Sequence, residues 1–63
     1  MNKQQTKMTI SGQYGNYQVW SSNKSGAVVD TKRGMYWHFG SWQEANEHAY
    51  KFSRMTSAEV SNF

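Results

Sequence analysis

Met35-Tyr36-Trp37-His38-Phe39-Gly40-Ser41-Trp42-Gln43-Glu44-Ala45 is the stretch where one kind of local structure gives way to another. Apart from His38, its first five residues are aromatic or apolar, types that favour a pleated strand. Gly40 ends that run. Ser41-Trp42-Gln43-Glu44 then has the spacing of a capping box, in which the Ser41 hydroxyl accepts from the Glu44 backbone N–H and the Glu44 carboxylate accepts from the Ser41 N–H. Trp42, Ala45, Ala49, Phe52 and Met55 follow at intervals of three or four, on one helical face. Glu44 and Glu47 come early and Lys51 and Arg54 late, an order that complements the helix dipole. Glu47 and Lys51 also form an oriented i, i+4 pair. The spacing predicts a helix over residues 41–55. Thr56-Ser57-Ala58-Glu59 repeats the capping pattern, so a further short helical turn is expected in the tail, 56–63.

Upstream the period is two. Residues 1–6 are polar and aperiodic, a disordered lead-in by sequence. Met8 and Ile10 alternate with Lys7, Thr9 and Ser11 up to Tyr14, the pattern of a half-buried strand. Gly15-Asn16 between Tyr14 and Tyr17 has the length and composition of a primed hairpin turn. Residues 17–22 make a second strand, Asn23-Lys24-Ser25-Gly26 a turn, Ala27-Val28-Val29-Asp30 a third strand and Lys32-Arg33-Gly34 another turn. Residues 27–39 make either one bent strand or a hairpin. The expected fold is α+β: an antiparallel meander of three to four strands over residues 7–40, packed on one C-terminal helix. Met8, Ile10, Tyr17, Val19, Val29, Met35, Trp37 and Phe39 are expected on the buried face, with Trp42, Ala45, Ala49 and Phe52 supplied by the helix.

A 63-residue chain is one small domain, 1–63, with a thin stability margin. It has no Leu and one Ile, so its core must be built from ten aromatics, four Met, four Val and four Ala. The absence of Cys excludes disulfides, thiolate metal sites and thiol catalysis. Apolar runs reach only three residues, so neither a membrane-spanning helix nor a signal peptide is expected, and the expected location is cytoplasmic.

Charge is unevenly spread. Residues 1–34 hold Lys3, Lys7, Lys24, Lys32 and Arg33 against Asp30, a net +4. Residues 35–63 hold Lys51 and Arg54 against Glu44, Glu47 and Glu59, a net −1. A basic half is the footprint of a polyanion binder, and also of an ordinary solvated surface.

The alternation that buries one sheet face turns Lys7, Thr9, Ser11, Gln13, Gln18, Trp20, Asp30, Lys32, Tyr36 and His38 outward. Basic and amide groups interleaved with aromatics suit nucleic acid: cations for phosphates, Gln for base edges, rings for sugars and bases. A two- or three-stranded sheet can enter the major groove of duplex DNA. The plainer reading of Trp20 is a ring folded over the sheet and half-buried. The candidate contact set is Lys7, Gln18, Trp20, Lys24, Lys32, Arg33, Tyr36 and His38.

The stretch from Tyr36 to Tyr50, an aromatic strand, a Gly, a short turn and a helix opening Glu44-Ala45, resembles the end of three-stranded-sheet DNA-binding domains. It is similar to the arm-type domains of phage and transposon tyrosine integrases and to the ethylene-response-type domains of plants. In both families the helix backs the sheet and the outer sheet face lies in the major groove. The resemblance covers about fifteen residues and implies a duplex-DNA-binding module, an accessory protein of a phage or mobile element, working in the host cytoplasm.

A second expectation is a small phage-type protein that binds a host protein, as inhibitor or adaptor, with Trp20 and Tyr36 as its anchors. A third, compatible with either, is a homodimer formed through short exposed edge strands. No catalytic constellation stands out. Glu44 and His48 have a metal-ligand spacing on the helix, but a zinc site needs three or four ligands, so no metal, cofactor or enzymatic activity is expected.

Overall fold

The computed structural model describes residues 8–63; Lys7 and the lead-in 1–6 lie outside them. Four strands, β1 (Thr9–Tyr14), β2 (Tyr17–Ser21), β3 (Gly26–Asp30) and β4 (Met35–Phe39), precede α1 (Trp42–Ser53) and α2 (Ser57–Ser61). The strands pair antiparallel in chain order, β1-β2-β3-β4, and the helices follow. Residues 27–39 are therefore a hairpin, and the fold is the α+β meander on a C-terminal helix.

The turns explain the order. Gly15 has φ +61 and Asn16 has no positive φ, the pattern of a type II′ turn, whose twist matches that of the flanking strands. The four-residue turn from Thr31 to Gly34 is organised by Asp30. Its Oδ1 accepts from the backbone N–H groups of Lys32 at 3.0 Å and Arg33 at 3.2 Å, and Gly34 takes φ +71.

Register assigns the faces. Val19 pairs with Val28 and Val28 with Trp37; Tyr17 pairs with Asp30 and Asp30 with Met35. These residues and Phe39 face α1, which lies mainly over β2 and β3. Val19, Val28, Ala45, Ala49, Phe52 and Val60 form the buried core, with Tyr14, Tyr17, Trp37 and Phe39 packed around it. Phe52 is its centre: its ring lies 4.8 Å from Trp37, 5.7 Å from Tyr17 and 5.0 Å from Phe63. Aromatics thus fill the volume that Leu usually occupies, as the composition requires.

Three packing expectations are corrected. Val28, not Val29, points into the core, because the inward set on β3 is 26, 28 and 30. A β-bulge between Ile10 and Gly12 shifts the start of β1, so Ile10 pairs with Trp20 on the opposite face and is 49% exposed. Trp42 is 41% exposed at the start of α1, its indole N–H donating to the Ser11 hydroxyl at 2.9 Å. The bulge turns Ser11 away from the open face and into that bond, which ties the edge strand to the helix.

Helix α1 opens at Ser41, whose hydroxyl accepts from the Glu44 N–H at 3.2 Å. The Glu44 carboxylate returns to the N–H of Gly40, one residue earlier than expected. Close approach of this helix start to β3 requires Gly26. A β-carbon there would lie 2.7 Å from the Ser41 carbonyl oxygen and 2.8 Å from the Ala45 β-carbon. Helix α2 carries a full capping box between Thr56 and Glu59 and places Val60 in the core, so the tail belongs to the packed domain.

Candidate binding surface

The face of the sheet opposite the helices is covered by no described element. Two cross-strand rows make it: Ile10–Trp20–Ala27–His38 and Gln13–Gln18–Val29–Tyr36. Trp20 is half-buried, and its indole N–H donates to the Gln18 side-chain oxygen at 3.1 Å. Ala27 sits between Trp20 and His38 in the register and is only 1% exposed. The plainer reading of Trp20, a half-buried ring, describes this half of the face. Tyr36 behaves differently. It is 61% exposed, one of the most solvent-facing large side chains of the domain.

The candidate contacts divide into three groups. Gln18, Trp20, Tyr36 and His38 share the open face. Lys24 and Lys32 are exposed in the turns at opposite ends of β3, a five-residue strand about 17 Å long at the usual rise. Arg33 is engaged within the domain. Its Nε lies 3.3 Å from an Asp30 carboxylate oxygen, and its two terminal nitrogens donate to the Ser57 carbonyl at 3.3 Å and the Ser61 hydroxyl at 2.9 Å. Asp30 was expected on the open face; it lies on the helix side, 2% exposed, where Arg33 and the two turn amides satisfy it. Lys7 lies outside the described residues.

Carboxylates are segregated from this face. The chain has four acidic side chains. Asp30 is buried on the helix side, Glu44 and Glu47 lie on α1, and Glu59 lies on α2. The open face therefore presents aromatic, amide, imidazole and aliphatic groups, with a Lys beyond each end and no acidic group to repel an anion. Sequence reasoning missed Ile10 and Val29 as members of it. The signal for Ile10 was Gly12, since a glycine inside a strand often marks a bulge.

Elsewhere the side chains have structural occupations. His48 stacks on Phe39 at 4.3 Å and its Nδ1 lies 2.8 Å from the Glu44 carbonyl oxygen, while the Glu44 carboxylate turns to Gly40. Among the described residues no group of three or more His, Asp or Glu is placed to hold a metal ion, and no helix is long and apolar enough to cross a membrane. No protein-family profile, curated protein or solved structure matches the chain.

Proposed function

We propose that the chain is a small non-enzymatic binding module whose working surface is the open sheet face, and that nucleic acid is its ligand class. The observation that supports this is the segregation of charge just described: no carboxylate on a face that carries Trp20, Tyr36, His38 and two Gln between flanking lysines. Bases would pack on the exposed rings, amides would meet base edges, and phosphates would run toward Lys24 and Lys32.

The width of the sheet supports a single strand over a duplex as the ligand. Four strands at about 4.8 Å spacing put about 14 Å between the outer strand axes, before backbone thickness is added. The major groove of B-DNA is about 12 Å wide. Three strands put about 10 Å between their outer axes, so a four-stranded sheet has to withdraw an edge further to enter the groove. The open face is better matched to a single strand laid across it, with unstacked bases on aromatic side chains. The accessory role in a phage or mobile element that the resemblance implies is compatible with such binding.

One observation favours a second reading. The described strands carry no cation on the open face, and Arg33 is held by Asp30. An uncharged, aromatic-rich centre with a charged rim is also the anatomy of a protein-binding surface, as a host-protein inhibitor or adaptor would have.

Fluorescence anisotropy of labelled single-stranded and duplex oligonucleotides, titrated at several salt concentrations, separates these readings. The expected result is binding that favours the single strand, with a log–log salt slope of about −1.5 to −3, corresponding to two to four phosphates. Preference for duplex would return the groove-binding geometry. Absence of binding to either at low salt would overturn the nucleic-acid reading and leave the protein-binding one.

A further inference from the structure

We propose that the outer edge of β4 is a docking edge for a second copy of this chain, with the two β4 strands pairing antiparallel about a two-fold axis at Trp37. The sheet has two outer strands, β1 and β4. They are not alike. β1 is interrupted by the bulge at Ser11, and bulges are one of the devices by which natural edges avoid further pairing. β4 keeps an unbroken register with β3 through all five of its residues. No described residue pairs with its outer side, and Met35-Tyr36-Trp37-His38-Phe39 contains no Lys, Arg, Asp, Glu or Pro to guard it.

The occupant follows from the strand's own sequence. Antiparallel pairing centred on Trp37 sets Met35 opposite Phe39 of the second copy, Tyr36 opposite His38 of the second copy, and Trp37 opposite its equivalent. No other centre pairs all five residues of β4 with all five of its mate. The contacts are self-complementary: a thioether on an aromatic edge, a phenol facing an imidazole, and indole on indole. No like charges meet. Helix α1 lies mainly over β2 and β3, and Met35, Trp37 and Phe39 are only half-buried on the helix side, where a second copy would cover them. The two-fold axis stands perpendicular to the sheet, so both helix layers lie on one side. The two open faces then join into one eight-stranded surface, with Tyr36 and His38 of both copies at its middle.

Sedimentation equilibrium of the protein alone, over a wide concentration range, tests the edge without reference to any ligand. A monomer–dimer equilibrium is expected. Tyr36→Lys combined with His38→Lys places like charges opposite each other at both cross-strand positions, and dimer dissociation constants should rise at least tenfold. Tyr36→Glu combined with His38→Lys sets opposite charges face to face in this register alone, and dimerisation should return. A wild-type protein that stays monomeric overturns the proposal, as does a double-lysine variant that dimerises like wild type, or a Glu/Lys variant no tighter than the double-lysine one. Should the double-lysine variant fail to fold, hydrogen exchange on the wild-type protein decides: β4 amides should gain protection as concentration rises, and concentration-independent exchange rejects the edge.

Discussion

The Arg33 guanidinium lies 3.3 Å from the buried carboxylate of Asp30 and reaches past it to two acceptors on the last helix, the Ser57 carbonyl and the Ser61 hydroxyl. One side chain thus joins the β3–β4 turn to α2. The pair spans only three residues, but its outer contacts link segments 24 and 28 residues apart. Together with Val60 in the core, this ties α2 to the domain despite its five-residue length.

Arg33→Ala should therefore destabilise the fold. It leaves the Asp30 carboxylate buried with only its two turn amides and removes the two hydrogen bonds from Arg33 to α2, whose Val60 remains in the core. A loss of about 1–3 kcal/mol is expected, since a buried group loses a charged partner while keeping part of its hydrogen bonding. Urea denaturation would measure it. A loss below about 0.5 kcal/mol, the range of ordinary surface substitutions, would show that the contact is incidental.

Gly26→Ala and Gly12→Ala make a matched pair. At Gly26 the new β-carbon meets the Ser41 carbonyl oxygen and the Ala45 β-carbon, neither of which can swing aside. The helix start must move, at a cost of about 1–3 kcal/mol. At Gly12 nothing lies within 4 Å, and the residue has no positive φ. That substitution should be neutral or stabilising by about 0.4–1 kcal/mol through loss of unfolded-chain entropy. Thermal unfolding of the two variants side by side gives the comparison. Equal effects would mean that α1 is not seated on β3 as described.

Phe52→Ala removes the ring shared by Tyr17, Trp37, His48 and Phe63. The cost for such a truncation is about 3–5 kcal/mol, comparable to the whole stability of many small domains. The variant should lose its near-ultraviolet aromatic circular dichroism at room temperature. Retention of a cooperative transition near the wild-type midpoint would place the centre of the core elsewhere.

On the open face, Trp20→Ala and Tyr36→Ala should each weaken oligonucleotide binding by about 1–3 kcal/mol, the usual worth of a base stacked on an aromatic ring. Glu47→Gln, on the opposite side of the domain, should leave binding unchanged apart from a small effect of net charge. The two aromatic variants should differ in stability. Tyr36 is largely in solvent and costs little to remove, whereas Trp20 is half-buried and holds a hydrogen bond to Gln18. Unchanged affinity in both variants would move the site off the sheet.

Much of this architecture was legible from local rules. The Gly15-Asn16 turn, the Ser41 hydroxyl on the Glu44 N–H and the 45–49–52 helical face depend on a few adjacent residues and took the expected form, while the Glu44 carboxylate closed on Gly40 instead of Ser41. What escaped depends on contacts between distant segments. Val28 and Val29 are adjacent and equally apolar, and alternation alone cannot choose between them. The choice is made where Gly26 admits the helix and so sets the inward parity of β3. A strict period of two cannot anticipate the Ser11 bulge, which sent Ile10 to the other face. Arg33 was assigned to a partner because nothing near it in sequence reveals that α2 supplies its acceptors. On the open face, Gln18, Trp20, Tyr36 and His38 were legible because they obey simple alternation within regular strands.

The sheet precedes its only described cover in the chain, and that order has a consequence for folding. Hairpins form locally and early, but the residues that shield Val19 and Val28 lie between positions 42 and 60. A chain that has paired its strands before α1 docks displays two bare faces and an unguarded outer strand to its neighbours. The interval between closing the hairpins and seating Phe52 and Val60 is then the period of greatest exposure to misassembly. A higher protein concentration during refolding would raise that risk.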